Sequence, residues 1–351
     1  MRNFRGGSKS KKETPGTVSG LKAGLHKRIV GQPAALEAIV PHIQIHQAGL
    51  SPEGRPAGVF LLLGPTGTGK TKTVEALAEV LHGSERNLLR IDCAEFQLDH
   101  EVAKLIGAPP GYLGHRETHP LLTQAKLNSV VSERSPLSIV LFDEIEKAAP
   151  SLTRLLLGVL DKATLRLGDN TAVNFERSLI FLTSNLGARD MARELSPGFG
   201  FDAMAGSRPA LSGKLENVAM RAVRKHFSPE FVNRLDTVVT YQPLDEKSLS
   251  EILDLQLAGL QQHIHSRRGC ETFYLHVAAS GRKFLLNAGT SPEYGARELK
   301  RAIQRHLITP LAELIELGIE PGATVIADAP KNSTRLHFRM PAIRLAALDA
   351  A

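Results

Sequence analysis

The segment GPTGTGKT, residues 64–71, concentrates more chemistry than any other stretch of the chain. It matches G-x-x-x-x-G-K-[ST], a loop whose glycines let successive backbone N–H groups turn toward phosphate oxygens while a helix N-terminus adds positive potential. The backbone of Gly64, Pro65, Thr66, Gly67, Thr68 and Gly69 is therefore expected to cradle the phosphates of a nucleotide. Lys70 is placed to bridge the β- and γ-phosphates, and the Thr71 hydroxyl to ligate Mg²⁺. Context supports the motif. GVFLLLG (58–64) reads as a strand, and Lys70–His82 reads as a helix with Val74, Leu77, Ala78 and Leu81 on one face.

A phosphate loop binds; hydrolysis needs acids. SIVLFDEIEK (138–147) ends an apolar run in Asp143 and Glu144, at the carboxyl end of a strand, where open parallel sheets hold ligands. Asp143 is positioned to hold Mg²⁺ through its water shell, and Glu144 to polarise an attacking water. FLTSN ends another strand and brings Asn185 to the same edge, where its amide could orient the water. An Asn at a strand end is also ordinary turn chemistry. Arg234 in FSPEFVNRLD and Arg297 in YGARELKR could each neutralise γ-phosphate charge, but residue type alone does not single them out.

The elements that must position these groups alternate. LLRID (88–92), SIVLFDE (138–144), SLIFLTSN (178–185) and DTVVTY (236–241) are short β-rich runs separated by helical patterns. Near-continuous apolar strands alternating with helices predict an α/β domain with a parallel sheet covered on both faces. Helices are expected between Leu21 and Gly49, broken at Val30–Pro33. After YQPL the pattern turns mainly helical, with Leu249, Ile252, Leu253, Leu257, Leu260 and Ile264 as one stripe, helices near 280–288 and 295–317, and a last strand at 324–328. The expected organisation is a disordered basic tail (1–20), a large α/β domain (21–243), a small, mainly helical domain with a terminal strand (244–335) and a tail (336–351). The Gly/Pro/Ser-rich segment 196–213 reads as a mobile insertion.

Composition narrows the class. The net charge of +7 permits nucleic-acid or acidic-surface binding without requiring it, and no RNA- or DNA-reading motif accompanies it. No apolar run approaches a membrane span, and the N-terminal tail lacks the apolar stretch of a secretory signal. The two cysteines, Cys93 and Cys270, are far apart and in no metal spacing, as in a reduced, cytoplasmic protein. His42 and His46, and His263 and His265, are paired in sequence but have no further ligand at suitable spacing, and read as surface or core histidines.

Taken together, IVGQPAALEAI, GPTGTGKT, RIDCAEF, KLIGAPPGYLG, VLFDEIEKAAP, LLLGVLD, FLTSNLG, FSPEFVNRLD and YGARELKRAI resemble the AAA+ ATPases of the Clp family. The resemblance is to the second, C-terminal ATPase module of the ClpB, ClpA and ClpC unfoldases, in family order from about 28 to 328. It implies a five-stranded AAA+ sheet domain with a small helical lid domain. It also implies that Ile29 and Val30 line the adenine pocket, that Lys70 and Thr71 are Walker A, and that Asp143 and Glu144 are Walker B. Asn185 would be sensor 1, Arg297 sensor 2, and Arg234 an arginine finger acting on a neighbouring subunit of a hexameric ring. ATP and Mg²⁺ are the implied cofactors and protein chains the implied substrates.

The same resemblance accounts for GAPPGYLGHRE (107–117), where one of only 4 tyrosines sits in a Gly-Pro loop. Tyr112 and Leu113 match a channel loop that grips an extended polypeptide, and a second channel loop is expected within 161–175. A flat aromatic suits a promiscuous grip. The Phe199-Gly200-Phe201 segment lies where protease-coupled members carry a docking tripeptide; the alternative is a loop packing its own aromatics. Departures from the family pattern are Cys93 and Ala94 for Met-Ser, Glu298 for Pro, and an altered run at His115–Pro120. The family's N-terminal, first ATPase and middle domains have no counterpart here, which points away from a self-sufficient disaggregase. Two competing functions are an AAA+ switch acting on nucleic acid or in assembly of a macromolecular complex, and a regulatory nucleotide-binding subunit that turns over ATP poorly, against which the intact Asp143, Glu144 and Arg234 argue.

Overall fold

A computed structural model of the chain describes residues 18–108, 120–195, 208–290, 295–331 and 333–340. Two compact units divide it: one takes the described parts of Met1–Gly64, Lys70–Gly187 and Gly206–Tyr241, the other those of Pro65–Gly69, Ala188–Ala205 and Gln242–Ala351.

In the first unit the strands, in chain order, are β1 (Gly58–Leu63), β2 (Leu89–Asp92), β3 (Ser138–Asp143), β4 (Thr164–Arg166), β5 (Ala172–Asn174), β6 (Ser178–Ser184) and β7 (Thr237–Thr240). Five of them form one sheet in the order β2-β3-β6-β1-β7, every pairing parallel. The three inner strands are buried along their whole length, whereas the edge strands β2 and β7 are partly exposed. Their composition follows: GVFLLL and SIVLFD can be almost wholly apolar because helices cover both faces.

On one face, helix Lys70–His82 lays Val74, Leu77, Ala78 and Leu81 against Phe60, Leu62 and Phe181. Helix Pro33–Gln47 adds Leu36, Ile39, Val40 and Ile43 to the same core. Both Pro33–Gln47 and Pro150–Lys162 start on a proline, which has no N–H to leave unsatisfied in a first turn. The Phe60 and Phe181 rings stack with centroids 5.1 Å apart, tying β1 to β6 through their side chains as well as their ladder.

The registers place the site. Leu63 of β1 pairs with Ser184 of β6 and Thr240 of β7, and Asp92 of β2 with Asp143 of β3. Gly64, Glu144 and Asn185 each directly follow a strand, so the sheet delivers all three to its carboxyl edge.

The second unit contains helix Glu246–Arg268, capped by the Asp245 carboxylate on the Ser248 amide at 2.9 Å. Its stripe packs as expected: Leu249 and Leu253 are buried, and Ile252, Leu257 and Leu260 lie against the same core as Leu285, Leu299 and Ile303. Strands β8 (Tyr274–Val277), β9 (Thr324–Asp328) and β10 (His337–Arg339) form a small sheet, β8 parallel and β10 antiparallel to β9.

Several local expectations change. The first helix begins at Val18, inside the stretch read as a tail; the preceding residues lie outside the described ones. The insertion read at 196–213 is helical from Arg208, where helix Arg208–His226 begins, because Pro209 is tolerated in a first turn and Leu215, Val218, Ala219 and Val223 bury one face. The expected helix at 295–317 is interrupted by a π stretch, Gln304–Ile308, next to Pro310, whose ring displaces the regular hydrogen-bond pattern. Strand β10 lies in the region read as a C-terminal tail; three alternating residues bounded by polar ones carry too little pattern to register.

The stacked pair in the first core yields a direct check. Phe60→Ala is expected to cost about 3–5 kcal/mol of stability, read from the urea midpoint, with the denaturant slope unchanged.

Candidate nucleotide site

Gly64 leaves β1 with φ +142, and a Cβ built there would lie 2.7 Å from the Tyr241 carbonyl oxygen. Only glycine fits so close to backbone in that conformation. Tyr241 is itself fixed, its N–H donating to the Leu63 carbonyl at 2.7 Å, so the end of β7 braces the mouth of the loop. The Lys70 side chain is buried and turns back along the loop, its Nζ donating to the Gly64 carbonyl at 2.7 Å and to Asn185 Oδ1 at 2.9 Å.

The acids after β3 are held from three sides. Asp143 is 8% exposed. Its Oδ1 accepts from Thr183 at 2.5 Å and from Thr71 at 3.3 Å, and its Oδ2 from Arg90 at 2.5 Å. Glu144 stands in the left-handed region at φ 58, and its N–H donates to Thr183 Oγ1 at 3.0 Å. Thr183 therefore serves both acids, accepting from one backbone and donating to the other's carboxylate. Glu144 Oε1 accepts from Asn185 Nδ2 at 3.4 Å, and Oε2 pairs with Lys147. That hydrogen bond, then the Glu144 charge, raises the Lys147 ammonium above its ordinary range. A buried thiol registers the same negative potential. Cys93 is pushed upward first by burial, then by the charges of Asp143, Asp92, Glu146 and Glu144, which keeps it protonated and inert.

These oxygens suit a hard divalent cation. Thr71 and Asp143 offer adjacent oxygens, and no cluster of three or more His, Cys, Asp or Glu exists among the described residues to make a closed protein cage. Mg²⁺ is typically held that way, by one or two protein ligands together with phosphates.

Near the adenine-pocket candidates, Ile29 is buried and Val30 half-buried. Arg28 makes a two-pronged contact with Glu79 at 2.8 Å from both Nε and Nη2, tying the end of helix Val18–His26 to helix Lys70–His82. Arg234 does not join the acidic cluster. It pairs with Asp161 and, at 3.9 Å, with Glu230. In the second unit, Thr68 closes the turn of its own loop on the Pro65 carbonyl at 2.9 Å. The Ala296 amide donates to the Gly67 carbonyl at 3.1 Å, and Gly295 at φ +49 would place a Cβ 2.9 Å from that oxygen. Arg297 follows Ala296 in helix Ala296–Ile303 and is exposed. Tyr112, Leu113, Phe199, Gly200 and Phe201 lie outside the described residues.

The described neighbours of residues 109–119 are anchored. Gly107 donates to Ala103 at 2.7 Å, and Leu121 and Leu122 donate to Lys104 and Leu105 at 3.1 and 3.0 Å. Within 161–175, where a second channel loop is expected, β4 and β5 form an antiparallel hairpin burying Leu165 and Val173. Its Gly168 donates to the Ile106 carbonyl at 2.8 Å and sits so close to Gly107 that a Cβ would meet that carbonyl at 2.5 Å.

Arg90, Thr183, Glu146 and Lys147 are the functional neighbours that motif reading missed. Thr183 carried a visible signal, a polar residue closing an apolar strand beside the one that ends in Asp143; Arg90 carried a weaker one, a cation inside β2. Thr183→Val keeps the shape and removes both hydrogen bonds. It is expected to lower stability by about 1–3 kcal/mol in chemical denaturation, since it leaves buried partners unsatisfied.

Two known families match the chain in consecutive segments. The family described as AAA domain (Cdc48 subfamily) matches residues 55–238, and the C-terminal, D2-small domain of ClpB protein matches residues 244–327. The chain is 40% identical over 298 residues to the chaperone protein ClpB of Meiothermus ruber, covering 85% of this chain and 32% of that protein. It is also 40% identical over 303 residues to ClpB of Vibrio cholerae, covering 86% and 33%. A solved structure titled "Closed State CryoEM Reconstruction of Hsp104:ATPyS and FITC casein" superposes with a TM-score of 0.76 at 27% identity, over 92% of this chain and 51% of that one. The chain thus spans about a third of the length of these curated relatives. With the AAA match covering more than half of its residues and the ClpB small domain following in order, the chain belongs to the AAA family, as a module of the ClpB type.

Proposed function

We propose that the chain is an ATP-hydrolysing AAA+ motor module that unfolds, threads or remodels protein substrates in the manner of a Clp-type chaperone. One arrangement carries the reading: Lys70, Asn185 and Glu144 stand in one hydrogen-bonded series beside Asp143 and Thr71. Lys70 supplies fixed positive charge where the γ-phosphate is transferred, and Asn185 ties that cation to the carboxylate of the base. Glu144 accepts the proton of the attacking water, with Lys147 and Asn185 sharing its charge beforehand. Thr71 and Asp143 would hold Mg²⁺, which when bound would supply charge neutralisation to the nucleotide's phosphates.

The remaining assignments form one picture. Residues 21–243 act as the large ATPase domain and 244–335 as the small one, with Arg297 as a second phosphate-sensing cation. Arg234, paired with Asp161 in its own chain, leaves that partner to serve a neighbouring subunit's nucleotide in a homo-hexamer. Tyr112 and Leu113 grip substrate. The described residues on either side of that segment are fixed by backbone hydrogen bonds, and Ile106 among them accepts from the hairpin at Gly168, which gives a substrate-gripping segment a firm base. Docking of a protease or adaptor at Phe199–Phe201 belongs to the same proposal. So does action in the cytoplasm: no helix among the described residues is long and apolar enough to cross a membrane.

Glu144→Gln is expected to retain ATP binding, measured with a fluorescent analogue, and to lower turnover by about 100-fold or more, in the range of general-base catalysis. Continued hydrolysis would remove Glu144 from this role. Tyr112→Ala is expected to keep ATPase activity and abolish ATP-driven unfolding of a fluorescent folded protein. Unfolding that survives the substitution sinks the channel assignment, and ATPase stimulated by polynucleotide but not by unfolded protein favours a nucleic-acid switch instead.

A further inference from the structure

We propose that Glu146, which none of the motif assignments uses, is the positioning residue that fixes Asn185 between Lys70 and Glu144. Asn185 lies one residue past Ser184, the last position of β6 paired to β1. Its N–H has therefore run out of sheet partners and must find another acceptor or water. Glu146 supplies one: its Oε1 accepts from the Asn185 N–H at 3.0 Å.

The chain reverses sharply to make this possible. Glu144 takes a left-handed conformation at φ 58, and residues Ile145–Lys147 form a single 3-10 turn closed by Lys147 N–H on the Glu144 carbonyl at 2.9 Å. The turn sends the Glu146 side chain back toward the end of β6, while Glu144 stays at the edge of β3. One short segment thus presents the base and holds the residue that touches it.

The orientation of the Asn185 amide is set by its partners. An ammonium only donates and a carboxylate only accepts, so Lys70 must face Oδ1 and Glu144 must face Nδ2. Both contacts depend on where the Asn185 backbone stands, and Glu146 is the side chain that fixes it. The arrangement is costly in isolation. Glu146 Oε2 is buried without a hydrogen-bond partner among the described residues, and its charge adds to that of Asp143 and Glu144. A group serving the fold alone could have met the amide with a neutral acceptor and no buried charge.

The inference rests on hydrolysis at Glu144, and its test separates the two. The intact chain is compared with Glu146→Ala, Glu146→Gln and Glu146→Asp. Hydrogen exchange is followed in the peptide containing Asn185, together with the thermal midpoint, binding of a fluorescent ATP analogue, and kcat and KM for ATP. Glu146→Ala is expected to speed exchange at that peptide by at least about tenfold, the scale of one lost charged hydrogen bond. Its kcat is expected to fall about 10- to 100-fold with little change in KM, as for a displaced reacting group. Glu146→Gln retains a carbonyl acceptor and is expected to restore protection and most of kcat. Glu146→Asp, one methylene short, is expected to behave as the alanine variant does, and it decides the question if that variant fails to fold. Unchanged exchange at Asn185, or faster exchange with unchanged kcat, overturns the proposal. If the unsubstituted chain does not hydrolyse ATP, the functional reading fails, while the exchange series still decides whether Glu146 holds Asn185.

Discussion

The structure depends on keeping two adjacent carboxylates, Asp143 and Glu144, at the end of a fully buried strand. Two like charges beside an apolar core would each pay a desolvation penalty and repel one another. The surroundings answer with separate partners for each. Arg90 and the hydroxyls of Thr71 and Thr183 take Asp143; Lys147 and the Asn185 amide take Glu144. The partners come from β2, the phosphate-loop helix, the end of β6 and the turn after β3, so the two acids gain them together only once the parallel sheet has formed. Fold and chemistry are thus the same problem: the order β2-β3-β6-β1-β7 brings those donors to one edge.

Glycine solves the complementary problem on the phosphate side. At Gly64 any side chain would run into the Tyr241 carbonyl, so the loop can leave the sheet directly beside β7. Gly295 does the same before helix Ala296–Ile303, whose first amide reaches the Gly67 carbonyl. Two of the departures from the Clp pattern, at Cys93 and Glu298, fall where the structure absorbs them. Cys93 is wholly buried and protonated. Glu298, where the family pattern has proline, donates its N–H to the Gly295 carbonyl at 3.2 Å and pairs with Arg301, a bond proline could not make.

How far the sequence could be read follows from what kind of pattern each element leaves. The inner strands β1, β3 and β6 were legible because burial on both faces forces continuous apolar runs, and helix Lys70–His82 because burial on one face forces helical spacing. Strands β8 and β10 were not: they are short, partly exposed and lie in a small sheet whose pairing is distant in sequence. At the site, Lys70, Thr71, Asp143 and Glu144 announced themselves by spacing along the chain. Arg90, Thr183, Glu146 and Lys147 act by register and by a left-handed turn, neither of which leaves a spacing signal. Arg234 shows the other limit: its partners within the chain, Asp161 and Glu230, say nothing of a neighbouring subunit.

The central claim is that this set of residues hydrolyses ATP, and phosphate release from Mg²⁺-ATP by the intact chain tests it most directly. Steady release that stops when EDTA removes the cation is the expected result. ATP bound by the chain with no release of phosphate above the buffer rate would contradict it.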